Sequence, residues 1–174
     1  GVLPRTFRVF ESHAWRAHVA GLAREDDFRA FDTVIPNSWE PAEFPTLGAG
    51  DGGYLLFMGR VIGRKGPHVA AAAARALGMR LVVAGQGVSS VQPGRIRALD
   101  GTSIEGDVEY AGILGPEERT RVMGAAVATF VPTQYLEPFG GVAVESQMVG
   151  TPALVTPWGG LAENVRHGES GFLC

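Results

Sequence analysis

Glu137 and Glu145 enclose the segment EPFGGVAVE, with Pro138 and the glycines Gly140 and Gly141 between the two acids and the apolar run 127–131 just upstream. The pattern reads as a buried strand, a sharp turn and a helix whose first amide groups face the space above the strand end. Unpaired N–H groups and the helix dipole both favour negative charge at such a tip, which is where open α/β sheets hold anionic ligands. The two glycines let a ligand approach the backbone closely. Glu137 precedes the turn and Glu145 lies more than one helical turn beyond it. The acids therefore reach different ends of a bound molecule and suit hydroxyl groups as hydrogen-bond acceptors. Taken singly, Glu137 also reads as a helix-start acid favoured by the dipole, and Glu145 as an exposed helix residue.

A second cluster lies in the stretch GRVIGRKGP, residues 59–67. Arg60 and Lys65 stand at a strand end and at the start of the next helix, on the same ligand-binding edge, with Gly59 opening the turn. A guanidinium grips two phosphate oxygens at once and an ammonium supplies a mobile point charge, so the pair suits a diphosphate. Either cation alone also reads as a solvated loop residue. Gly59, Gly63 and Gly66 do not form the GxGxxG turn of a dinucleotide site. Lys65 is followed by Gly66 rather than Ser or Thr, which removes the Walker reading. Gly85, Gln86 and Gly87 end the next strand on this edge, as a wall of the same site or as a plain turn. Thr156, Gly159 and Gly160 repeat the strand-end arrangement, with Glu163 unassigned. His13 and His18 beside Trp15 read as the exposed side of a helix in preference to a ligand-facing pair, His68 near a helix start reads equally as a phosphate contact or a surface residue, and His167 falls in a turn.

The elements that must position these residues follow from alternating apolar runs and helical stretches. Strands are expected at 54–58, 81–84, 108–111, 127–131 and 153–155, and helices at 67–77, 116–124, 139–149 and 161–166. This alternation predicts a parallel, doubly wound sheet with helices on both faces, a Rossmann-like α/β fold. Pro67 and Pro116 occupy first-turn positions, where a missing N–H costs little. Upstream, 12–22 reads as a helix with Ser12 as N-cap, and 32–35 as a short strand. Between them and the sheet, residues 36–53 hold Pro36, Pro41 and Pro45, then Gly48, Gly50, Gly52 and Gly53, and read as a linker.

With 174 residues, 45% of them apolar, the chain has room for one domain of ordinary size. Fifteen basic and 18 acidic residues give a net charge of −3, and no basic run exceeds Arg64 and Lys65. That balance argues against nucleic acid as a partner. Cys174 is the only cysteine, so neither an internal disulfide nor a cysteine metal site is expected. No apolar stretch reaches the roughly 20 residues needed to cross a bilayer. A soluble, cytoplasmic chain is expected.

These motifs carry a resemblance. The segment Val34, Ile35, Pro36, Asn37, then GRVIGRKG, EPFGGVAVE, and TPWGGLAE followed by GESGFL are similar in order and spacing to the donor-binding domain of GT-B, GT4-type (glycosyl transferases group 1) retaining glycosyltransferases, over about residues 54–173. The resemblance implies a nucleotide-diphosphate sugar as donor substrate and no cofactor. Arg60, Lys65 and the helix tip could stabilise the leaving diphosphate without a metal cation, and no clustered His or Asp ligand set is present, so no metal is expected. The resemblance places Arg60 and Lys65 on the diphosphate, Glu137 on the sugar hydroxyls, the backbone of Phe139, Gly140 and Gly141 on sugar or phosphate, and Glu145 on the ribose; Arg60, Lys65 and Glu137 would be the catalytic residues, and Gly59 and Gly85 would line the donor site. It also implies that residues 1–47 are a helix-and-strand remnant of an acceptor domain plus linker, and that 48–174 form the donor domain, truncated at its C-terminus. The acceptor is unknown, and a partner domain or self-association would cover the exposed face. Two functional classes follow: an enzyme, or enzyme half, transferring the glycosyl group with retention, and a non-catalytic nucleotide-sugar binding module acting with a partner chain. An epimerase or phosphorylase on the same fold is a remoter third.

Overall fold

The computed structural model describes residues 7–25, 29, 31–44 and 48–174. The chain opens with β1 (Val9–Phe10), α1 (His13–Ala23) and β2 (Thr33–Val34); β1 and β2 pair in parallel. Ser12 caps α1 as its residue type predicts: its backbone is extended and its Oγ accepts from the Trp15 N–H at 3.0 Å. Of the linker expected at 36–53, residues 45–47 lie outside the described residues. Its described part holds one 3-10 turn at Pro41–Glu43, and residues 48–52 are strapped down rather than loose. The N–H groups of Gly48, Gly50 and Gly52 donate to Val149, Gly124 and Ala125 carbonyls at 2.7, 3.0 and 2.8 Å. A Cβ on Gly48 would lie 2.0 Å from the Gly124 carbonyl oxygen, so close contact explains this glycine.

The main body runs β3 (Tyr54–Met58), α2 (Pro67–Ala76), β4 (Arg80–Ala84), β5 (Val88–Gln92), β6 (Arg95–Ala98), β7 (Ser103–Glu105), β8 (Val108–Gly112), α3 (Pro116–Ala125), β9 (Ala128–Val131), α4 (Gly141–Met148), β10 (Ala153–Val155), α5 (Leu161–Asn164) and β11 (Gly171–Leu173). Six strands form one parallel sheet in the order β11-β10-β9-β3-β4-β8. Alternate residues of β3 feed opposite faces, as the strand period requires. Leu55 and Phe57 pack with Leu81, Val83 and the α2 alanines Ala70, Ala71 and Ala74 on one face. Leu56 and Met58 pack with Val82, Val122, Met123 and Val149 on the other. Among the described residues no helix is long and apolar enough to cross a membrane.

One crossover departs from the expected alternation. Between β4 and β8 the chain makes a three-stranded antiparallel meander, β5-β6-β7, instead of a helix. Its residues dictate this: Arg95 and Arg97 are exposed while Ile96 and Ala98 are buried, a period of two. Pro93 with Gly94 and Asp100 with Gly101 supply the turns, both glycines at positive φ. Ile96 pairs with Ile104, and both bury against the α2 face of the sheet.

Candidate functional site

The strand order explains which loops meet. After β3 the chain steps to β4 and β8 on one side, then returns through α3 to β9 on the other side of β3. The carboxyl ends of β3 and β9 thus flank a topological switch point, the crevice where open α/β sheets take ligands. The loop after β3 carries Gly59, Arg60 and Lys65, and the loop after β9 carries Tyr135, Glu137, Phe139 and Gly140. The Gln134 N–H donates to the Arg64 carbonyl at 2.8 Å. Gly66, at φ +77, lies so near Pro132 that a Cβ would come within 2.1 Å of its carbonyl oxygen.

At this junction Lys65 Nζ lies 2.6 Å from Glu137 Oε2, and the Tyr135 hydroxyl donates to the same oxygen at 2.6 Å. Glu137 is only 8% exposed, so both contacts act where water screens them little. Burial, reinforced by the bond to Glu137, pushes the Tyr135 phenol well above its ordinary value, which keeps it a donor. Arg64 and Lys65 both stack on the Tyr135 ring, at 5.4 and 5.1 Å from its centroid. Arg60 is exposed, and its charge reaches Tyr135.

Three consecutive carbonyls of the EPFGG turn are held from two elements, the N-cap of α1 and both ends of α5. The Gly160 N–H donates to Glu137 O at 2.8 Å, Ser12 Oγ to Pro138 O at 2.6 Å, and Asn164 Nδ2 to Phe139 O at 2.7 Å. In a trans peptide the N–H opposes the preceding C=O, so the N–H groups of Phe139 and Gly140 face away from α1 and α5. The Phe139 ring is buried and stacks on Trp39, centroids 5.7 Å apart. The helix α4 begins at Gly141, two residues later than expected, because Gly140 takes a left-handed conformation at φ +89. Glu137 therefore precedes the helix by a full turn and is not a helix-start acid.

Glu145 is buried at 6% exposure, which corrects its reading as an exposed helix residue, and its Oε2 accepts from Arg119 of α3. Burial draws the Arg119 guanidinium below its ordinary range. Glu137 and Glu145 have separate cationic partners, Lys65 and Arg119. Gly85 ends β4 at φ +132, and a Cβ there would lie 1.9 Å from the Gly59 carbonyl oxygen, so these two glycines press together beneath the β3 loop. The Tyr110 hydroxyl donates to Gly85 O at 2.8 Å.

Several residues were missed or left unassigned on sequence grounds. Glu163 takes the N–H groups of His13 and Ala14 on its two carboxylate oxygens, at 3.0 and 2.7 Å, and so caps α1. His68 Nε2 is 3.5 Å from Gln134 Nε2. His13, His18 and His167 are exposed. Tyr135 and Arg119 gave no local signal beyond aromatic and basic residue types, because each finds its carboxylate only in the folded chain.

Residues 41–174, well over half of the chain, match the family model described as Glycosyl transferases group 1. The D-inositol 3-phosphate glycosyltransferase of Acidothermus cellulolyticus is 40% identical over 135 residues, covering 71% of this chain and 30% of that protein. Among solved structures, AviGT4, a glycosyltransferase involved in avilamycin A biosynthesis, aligns at 30% identity with a TM-score of 0.67, over 89% of this chain and 46% of its own. HepE of Anabaena, in complex with UDP, shares the fold with a TM-score of 0.73 at 19% identity, over 95% of this chain and 49% of its own. The chain spans less than half of the length of each.

Proposed function

The chain belongs to the glycosyl transferases group 1 family, and from that premise we propose that the rim above β3 and β9 holds a nucleotide-diphosphate sugar and serves transfer of its glycosyl group with retention of configuration. The observation that carries the reading is the meeting of Lys65, Tyr135 and Glu137 at the switch point of the sheet. Arg60 and Lys65 take the diphosphate, assisted by the tip of α4. Glu137, oriented by Tyr135, accepts from sugar hydroxyls, and the backbone at Phe139, Gly140 and Gly141 lies along the sugar or phosphate. Glu145, oriented by Arg119, accepts from the ribose, and Gly59 and Gly85 keep the floor of the site free of side chains. HepE, which shares the fold, is solved in complex with UDP, which supports a nucleotide as the class of ligand.

The chemistry follows from charge. The bond between the anomeric carbon and the diphosphate oxygen breaks, the acceptor oxygen bonds to that carbon on the same face, and the acceptor proton passes to the departing diphosphate. Negative charge grows on the leaving oxygen, and each fixed positive group aimed there is worth about 3 kcal/mol of transition-state stabilisation. Two cations already supply what a divalent ion would otherwise supply, so donor binding and turnover are expected to survive excess EDTA. Glu137 positions the sugar and supports developing positive charge; it is not an attacking group.

Thermal shift with UDP, GDP and ADP, followed by incubation with the matching nucleotide-glucose, tests the reading. One nucleoside diphosphate should raise the melting temperature, and NMR of the product should show the donor's anomeric configuration. Binding without turnover would favour the nucleotide-sugar binding module acting with a partner chain. No stabilisation by any of the three would count against a donor site altogether.

A further inference from the structure

We propose that Asp100, in the turn between β6 and β7, is a positioning residue that fixes the backbone of the cationic loop and so the placement of Arg60 and Lys65. The inference rests on the reading of that loop as the diphosphate grip. Gly63 opens the 3-10 turn Gly63–Lys65, and the residue before it, Ile62, has no polar side chain with which to cap it. The first N–H groups of any helical turn lack an internal acceptor. Asp100 supplies one from 37 residues away: its Oδ2 accepts from the Gly63 N–H at 2.7 Å, while its Oδ1 accepts from the Thr102 N–H at 3.0 Å. With both oxygens engaged, the carboxylate has one orientation. The same hydrogen bonds, that from Gly63 foremost, hold the carboxyl below its ordinary range.

Independent contacts point the same way. A Cβ on Gly63 would lie 2.8 Å from Thr102 Oγ1, so the loop and the meander touch at a point that admits only glycine without a shift. Two residues upstream, Val61 is fully buried in the cluster that holds Ile96, Ala98 and Ile104 of the meander, and its N–H donates to the Gln86 carbonyl at 2.8 Å. Val61 and Gly63 are thus pinned, while Arg60 and Arg64 on either side of them face solvent and Lys65 reaches Glu137. The meander that replaces a crossover helix is the anvil on which the loop is shaped.

The test compares wild type, Asp100→Asn and Asp100→Ala by calorimetric titration with the tightest of UDP, GDP and ADP and with its nucleoside, alongside amide hydrogen exchange of residues 60–65. Loss of the cap should weaken diphosphate binding about fivefold in Asp100→Ala, with a smaller loss in Asp100→Asn, which keeps one acceptor oxygen. Nucleoside affinity should stay within about twofold, and exchange at Gly63 should accelerate in both variants. A merely destabilised fold would lower both affinities together and overturn the assignment, as would unchanged exchange at Gly63 with unchanged diphosphate affinity. If Asp100→Ala does not fold, Asp100→Asn decides by the same two readouts. Failure of wild type to bind any of the three diphosphates would overturn the donor reading and this role of Asp100 with it. Normal wild-type binding with insensitive variants overturns the role of Asp100 alone.

Discussion

The Lys65, Tyr135 and Glu137 cluster makes a definite demand on one hydroxyl group. Tyr135→Phe removes the donor that fixes Glu137 and leaves the ion pair with Lys65 intact. A hydrogen bond to a charged group is worth about 1.5–3 kcal/mol, and some of that is recovered by water. The variant should therefore bind the accepted nucleotide sugar about tenfold more weakly while binding the nucleoside diphosphate as wild type does, measured side by side by calorimetry. Equal loss for both ligands would assign Tyr135 to the phosphates instead. At this scale the sequence exposes the reactive types but not their partners. Glu137, Glu145, Arg60 and Lys65 stand out because glycine, proline and an apolar run frame them. Tyr135 lies only two residues from Glu137, yet nothing in the sequence says which way its ring turns. Arg119 and Asp100 act across 26 and 37 residues of chain, and no local pattern announces such a contact.

The elements were largely visible, since apolar runs bounded by Gly and Pro mark β3, β4, β8, β9 and β10 to within one or two residues. The meander was not, although Arg95 to Ala98 alternate and two turn dipeptides flank them, because its strands are only five, four and three residues long and mostly exposed. Short strands such as β1 and β11 carry too few residues for any period to register. The unforeseen part of α1 is its double tether. Ser12 caps the helix and donates to the Pro138 carbonyl, and Glu163 takes two of its first N–H groups. Ser12→Ala should lose about 1–2 kcal/mol of stability in urea denaturation, with a larger effect on α1 than on the sheet by hydrogen exchange. A stability unchanged within error would mean that the cap contributes nothing. Gly66 is the stricter case: its positive φ and the 2.1 Å approach to Pro132 O predict that Gly66→Ala costs about 2 kcal/mol or more. Such a variant should also move the two ligand loops apart.

For the whole molecule, strand order was the decisive fact that sequence patterning leaves open. A βαβ pattern implies parallel strands, but only the folded chain shows the return of β9 to the far side of β3 that brings the two loops together. The N-terminal unit is held together internally by charge. Arg8, buried, pairs with Glu25 at 2.6 Å and with Asp32, and the guanidinium holds the Asp32 carboxyl below its ordinary range. A carboxyl whose folded value is depressed contributes its full stabilisation above the unfolded value and loses it as pH falls through the folded one. Acidification from about pH 7 to about pH 3 should therefore cost wild type more stability than Asp32→Asn, read from urea midpoints; parallel losses would remove Asp32 from the account. The central claim, a diphosphate lodged between the two cations and the tip of α4, is tested most directly by the affinities of one nucleoside diphosphate and its nucleoside for wild type, Arg60→Ala and Lys65→Ala. Each substitution should weaken the diphosphate by at least about tenfold while leaving the nucleoside nearly untouched; equal effects on the two ligands would contradict it.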